Sequence, residues 1–351
     1  MRKLLILLAA CALVGAFTLP AAADVSFYGQ VNMTTGFTTL DEDWTGNDSD
    51  TDLDWDLDVP VISQFGARFQ HNSVSANVEF NPDIDRRHFY GAWNFGAGTL
   101  IVGHTWTPTC VPAHSDLYLA GISPFYGNNV GSVRQPQIGL QIGSLKIATI
   151  TPNRTSVVPG STDVDVSLPR IEASYALKAG PAAITLWGGF NTLTDNVVTA
   201  TTDDSYTVSS SIIGGTVRAG FGAVGVAFTV WTGQNLMNGS SAVAPGTYGS
   251  AMYDATDDEI KNTTTLGYGG HVSYMLSETM KVTGGYFGFS EDQDDADETR
   301  SGNMMYVNLP ITLAKGVTLA PEIRRLSKQV DFSGDDPGSS TSYGAYWAIA
   351  F

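Results

Sequence analysis

Apolar and polar side chains alternate along most of this chain with a period of two. The final residues show it plainly: Tyr343, Ala345, Trp347, Ile349 and Phe351 are apolar, and those between them are small or polar. Two is the strand period, because successive side chains point to opposite faces of a sheet. Sixteen candidate strands follow, near 25–38, 59–70, 74–81, 87–95, 99–106, 135–142, 145–151, 168–177, 182–190, 205–218, 223–232, 263–275, 280–289, 302–309, 317–326 and 342–351. The gaps alternate in length. His71–Ser73, Gly96–Gly98, Gly143–Ser144 and Ser277–Thr279 are short, whereas 39–58, 107–134, 152–167, 191–204, 233–262, 290–301 and 327–341 are long. Short turns at one end, long loops at the other and an aromatic last residue predict a transmembrane β-barrel of sixteen antiparallel strands, both chain ends on the short-turn side.

Charge tests the alternation. In 59–70, Val61, Ser63, Phe65, Ala67 and Phe69 share one face, and Gln64, Gly66, Arg68 and Gln70 the other. In 168–177, Ile171, Ala173, Tyr175 and Leu177 oppose Arg170, Glu172 and Ser174; in 317–324, Val317, Leu319 and Ile323 oppose Glu322 and Arg324. A cation at mid-bilayer on the lipid side costs about 2–4 kcal/mol, so a one-residue slip is penalised in several strands. The inward set therefore holds Arg68, Arg86, His88, Arg170 and Arg324 beside Glu79, Glu172 and Glu322. Rings of arginine favour anions and rings of acid favour cations, unless these groups pair with one another and only solvate the wall. Arg87 and Arg325 fall on the outward register, near the outer rim. The run Ser209–Gly215 fits both registers, and a small, glycine-rich face of this kind suits packing against a neighbouring subunit.

Residues 1–23 read as a signal peptide: Arg2 and Lys3, an apolar run from Leu4 to Phe17, then Ala21–Ala23 before Asp24. A membrane-spanning helix and a lipobox ending at Cys11 are the alternatives. Beyond it lies one cysteine, Cys110, which can form no internal disulfide and has no companions for a metal or nucleophile site. Mean hydropathy is near zero, as expected when lipid-facing and water-facing residues cancel. The net charge of −17 excludes nucleic acid as a partner. The acids cluster in 41–58, 254–259, 291–298 and 331–336, which reads as loop solvation. Alternatively, acids such as Asp50, Asp52 and Asp54 hold Ca2+ or Mg2+ bridging to lipopolysaccharide phosphates; no other cofactor is implied. There is no G-x-S-x-G elbow and no H-E-x-x-H among the five histidines, so no enzyme announces itself. A secreted β-sandwich adhesin would lack the terminal aromatic and the two loop classes.

Segment 107–134 differs from the acidic loops. It carries a single acid, Asp116, with three prolines and several aromatics, and is expected to fold inward as the third outer loop and narrow the lumen. Around it the chain resembles the trimeric general porins of Gram-negative bacteria. The carriers are Gly98-Thr-Leu-Ile-Val-Gly103, the long loop, and Val133-Arg-Gln-Pro-Gln-Ile138. Arg86-Arg-His-Phe-Tyr-Gly-Ala-Trp93 and Gly103-His-Thr-Trp106 resemble the DcaP-like branch in particular. The resemblance implies a homotrimer in the outer membrane, among lipid and lipopolysaccharide, with the loop facing a basic wall. It places Arg134 on that wall and Asp116 on the loop side. Family arginines are replaced here by Gln64 and His104, which weakens the wall. Passive diffusion of small hydrophilic solutes and ions is the expected function; a channel selective for small anionic, dicarboxylate-type solutes is the alternative.

Overall fold

The computed structural model describes residues 24–40, 54–58, 63–111, 134–152, 154–198, 203–239, 249–327 and 338–351. Residues 1–23, the expected signal peptide, and Asp50, Asp52 and Asp116 lie outside them. Sixteen barrel strands run in chain order: β1 Asp24–Leu40, β2 Gln64–His71, β3 Val74–Phe80, β4 Arg86–Asn94, β5 Thr99–Trp106, β6 Arg134–Ile142, β7 Leu145–Ile150 and β8 Arg170–Ala179. The second half comprises β9 Ala182–Val198, β10 Asp203–Phe221, β11 Val224–Gln234, β12 Thr263–Met275, β13 Lys281–Gln293, β14 Arg300–Asn308, β15 Val317–Ser327 and β16 Ser339–Ala350. Each strand pairs antiparallel with its neighbours in this series. β1 closes the cylinder by pairing with β2 through Asp24–Gln30 and with β16 through Gln30–Leu40. No described helix is long and apolar enough to cross a membrane; strands do the crossing in this architecture.

Two-residue turns link β6 to β7, β8 to β9 and β10 to β11. Gly180 and Gly222 open two of them at φ 57° and 63°, the left-handed region that glycine enters without penalty. The long loops gather at the opposite end. At the seam, the Gly29 N–H donates to the Phe351 carbonyl (3.0 Å) and the Phe351 N–H to the Gly29 carbonyl (2.9 Å). The start of β1 and Phe351 thus meet on the short-turn side.

The faces follow the alternation. On β8, Ile171, Tyr175 and Leu177 are exposed on the outside while Arg170, Glu172 and Ser174 are buried within. The open question on β10 is also answered: Ser210, Ile212, Gly214 and Thr216 face inward, and Ser211, Ile213, Gly215 and Val217 outward. Three expectations change. The 59–70 strand starts only at Gln64, and Asp54–Asp58 forms a separate short strand on Thr34–Thr38. At the break, Ser63 does not face lipid. Its buried hydroxyl accepts from the Asn32 N–H (2.9 Å) and donates to the Asn32 carbonyl (3.2 Å), standing in for missing ladder bonds. The expected loop 191–204 is mostly ladder, because Thr192–Val198 pairs with Asp203–Ser209. The gap at 290–301 shrinks likewise, with strand to Gln293 and again from Arg300.

The extended part of β9 and β10 has its own core. Leu193, Val208 and Ala251 are buried together, with Val157, Val164 and Ile260 packed on them. Fully buried Asp195 accepts from the Val157 N–H (2.9 Å) and the Ser161 hydroxyl (3.1 Å).

Candidate functional site

The inner surface carries two contrasting walls. The first, on β1 to β6, is polar and built around Glu79. Its Oε1 accepts from Arg87 Nε (2.7 Å), and its Oε2 lies 2.8 Å from the Tyr28 hydroxyl, which Asn77 Oδ1 shares at 2.9 Å. Arg87 also donates to Gln64 Oε1 (3.1 Å). Next to it, Arg134 Nε donates to His88 Nε2 (3.3 Å), which leaves the ring proton on Nδ1 for the Thr105 hydroxyl (3.0 Å). The Arg134 guanidinium lies 3.6 Å from the Trp106 ring centre, and that of Arg68 4.3 Å from the Tyr28 ring. Stacking of this kind contributes about 0.5–2 kcal/mol and holds a guanidinium in place without neutralising it. Among the described residues no carboxylate comes within ion-pair distance of Arg68 or Arg134.

The second wall, on β8 to β13, is apolar and covered. Trp187, Trp231 and Phe289 line up across neighbouring strands with Gly214 and Gly267 between them. A Cβ on Gly214 would sit 2.6 Å from the Trp231 Cβ, and one on Gly267 would run into the Trp231 ring, so the glycines let the indoles lie flat on the sheet. Although these rings point into the barrel, they are almost fully buried, Trp231 being 1% exposed. Val111, Leu236, Met237 and Ile212 cover them. Val111 belongs to the stem of the β5–β6 loop. In that stem Thr109 donates to Glu172 Oε2 through its N–H (3.0 Å) and its hydroxyl (2.7 Å), and the Thr216 hydroxyl donates to the Val111 carbonyl (2.9 Å). Residues 107–111 therefore lie against the inner face of β8 and β10.

No protein-family model matches the chain. No curated protein matches it either. Solved structures do. The outer membrane channel DcaP of Acinetobacter baumannii superposes with a TM-score of 0.74 at 16% identity, over 95% of this chain and 99% of that one. The anion-selective porin of Comamonas acidovorans gives 0.62 at 13% identity (94% and 100% covered), and Salmonella typhi OmpF in complex with daunomycin 0.60 at 12% (93% and 97%). This is the porin fold. At these identities the likeness shows architecture and leaves the chemistry to be argued from this chain's own side chains.

On the porin barrel the expected lumen residues separate. Gln64, Arg68, His88 and Arg134 come together on the first wall with Glu79. Glu322 and Arg324 also face inward on β15, Glu322 accepting from Asn308 Nδ2 (3.2 Å) and Arg324 donating to the Ser342 hydroxyl (3.4 Å). Arg170 and Glu172 are inside but form a buried ion pair that anchors the loop stem, and Glu172 is 1% exposed. Arg86 and His104 are corrections. A β-bulge makes Glu79 oppose His88 and Phe80 oppose Arg86, leaving Arg87 as the extra residue. Two consecutive side chains, Arg87 and His88, then point inward, and Arg86 moves to the outer face beside Phe80. His104 stands opposite Phe89 and Pro136, on the outer face shared with Val102 and Ile138. Alternation from Val102 already implied this; the family arginine suggested otherwise.

Inward cations absent from the expected set include Arg87, Arg218 and Arg300. Arg218 pairs with Ala183 and buried Ala227. Its signal was Val217, whose outward position fixes the next residue inward. Of the proposed metal ligands, Asp54 lies on the short strand beside β1. Among the described residues one acidic trio, Asp257, Glu259 and Asp295, has metal-like proximity, and the Lys261 ammonium sits among all three carboxylates.

Proposed function

We propose that the chain forms a water-filled channel in a Gram-negative outer membrane that passes small hydrophilic solutes and ions by passive diffusion. One observation carries the reading. A closed sixteen-stranded cylinder has an apolar outer face suited to hydrocarbon, and an inner face bearing arginines, acids and amides that only water can solvate. Residues 1–23 would direct export, and residues 112–133, with Asp116, would complete a constriction whose stem is Thr107–Val111. Assembly as a homotrimer fits the porin fold; among the similar structures, OmpT of Vibrio cholerae is described in a trimer form.

A second reading, preference for small anions, is supported by Arg68 and Arg134. They are held by aromatic rings, so their charge stays available to the lumen. Planar-bilayer recording of the purified mature chain tests both readings. Ohmic steps support the pore, and a reversal potential displaced toward that of the anion in a salt gradient supports selectivity. Arg134→Ala should move the reversal potential back toward zero. Absence of conductance from correctly folded protein would sink the first reading, and an unmoved reversal potential the second.

A further inference from the structure

We propose that residues 235–239 and 249–251, the two arms of the β11–β12 loop, are a second inward-folded element of the channel, clamped to the apolar wall so that solutes are confined to the arginine side. The proposal rests on the channel reading above and goes beyond it by assigning a pore-shaping role to a loop that the sequence marked only as long and acidic.

The clamp starts where β11 ends. The Asn235 side chain donates to the Ser209 carbonyl (2.9 Å) and Asn262 Oδ1 (2.8 Å) and accepts from the Thr263 N–H (2.9 Å), tying both loop ends together. The Ser210 hydroxyl donates to the Asn235 carbonyl (2.8 Å). The returning arm lies on the inner wall as well. The Gly249 N–H donates to Glu291 Oε1 (2.6 Å), which also accepts from the Thr265 hydroxyl (2.6 Å); the other oxygen of this fully buried carboxylate is paired with Arg300. The approach is so close that a Cβ on Gly249 would run into the Thr263 side chain. Between the two arms, Leu236 seals the Trp187–Trp231–Phe289 row.

An uncovered aromatic row inside a water-filled barrel would expose apolar surface at about 25 cal/mol per Å2, so the covering is favourable in itself. A buried carboxylate whose lone pairs are all used by loop and wall fixes where the loop sits. The volume these arms take is taken from the lumen. What remains for solute is the side of Arg68, Arg87 and Arg134.

Hydrogen–deuterium exchange on the detergent-solubilised mature chain, with bilayer recording on the same preparations, tests this. Amides of 249–251 and 263 should exchange as slowly as barrel strands. In Glu291→Ala and in Gly249→Val they should exchange about 10- to 100-fold faster, as expected when one or two buried hydrogen bonds are lost, while the barrel keeps its heat-modifiable gel mobility. Conductance in both variants should rise. Fast exchange in the unmodified protein would overturn the clamp. Faster exchange with unchanged conductance would overturn the pore-shaping role. Slow exchange in a protein that conducts nothing would keep the clamp, and it is the channel reading that would fall.

Discussion

Placing Arg at Val217 tests the assignment of faces where sequence alone could not make it. Val217 lies on the outer face of β10, 36% exposed, between Ile184 and Phe228; Arg218, one residue on, faces the lumen. Val217 is four residues from Phe221 at the turn end of the strand. At about 3.3 Å per residue that is roughly 13 Å along the strand, or about 10 Å of depth at a tilt near 40°. An apolar band about 25 Å tall puts the position near its middle, where Arg on the lipid side costs about 2–4 kcal/mol. Val217→Arg should therefore lower the folding equilibrium constant roughly 30- to 900-fold. Arg218→Val puts no charge against lipid and should cost less than Val217→Arg. Denaturant titration of both variants refolded into lipid vesicles reads the difference. Equal stabilities, or a neutral Val217→Arg, would show that this face does not meet lipid or that the register is off by one.

Other expectations follow from the same contacts. Trp231→Ala removes a nearly fully buried indole and should destabilise the barrel by about 3–5 kcal/mol; a loss below 1 kcal/mol in the same titration would mean the aromatic row is not packed as described. Gly344→Val pushes a side chain into the Thr35 carbonyl across the β1–β16 seam, at a cost of about 1–3 kcal/mol. It should appear as a lower temperature for loss of the compact form on unboiled gels, and an unaltered temperature would clear the seam of strain. Outside the membrane span, the Tyr206 and Tyr253 hydroxyls both donate to Asp258 (2.6 and 2.8 Å) and hold its carboxyl below the ordinary value of 3.8. The carboxylate form then stabilises this part of the loop above that value, and the contribution is lost as pH falls through the depressed one. Protection of amides 252–261, measured against the intrinsic exchange rate at each pH, should fall in acid, and the double variant Tyr206→Phe, Tyr253→Phe should abolish that fall. Retention of the dependence would refute the assignment.

The barrel was legible because hydrocarbon on one side enforces the alternation: β8 and β15 place every charge as the sequence implied. Legibility ends where that constraint ends. Beyond the span, Thr192–Val198 has no lipid to order its faces and read as loop, though it continues the ladder. The bulge at Arg87 exchanged the faces of two arginines, an insertion of one residue that no period-two count detects. Ser209–Gly215 was ambiguous for a different reason: Gly214 serves as floor for tryptophans on the two adjacent strands, information the segment itself does not hold. The Glu291 clamp joins residues more than forty apart and left no local signature.

The seam between β1 and β16 has a consequence for biogenesis. Because Phe351 bonds to Gly29, synthesis must pass the last strand before the ring can exist. Until then both borders present unpaired amides and carbonyls, an invitation to any passing β-edge. Such a ring cannot close stepwise during synthesis, and β1 and β16 stay open to other chains until they find each other.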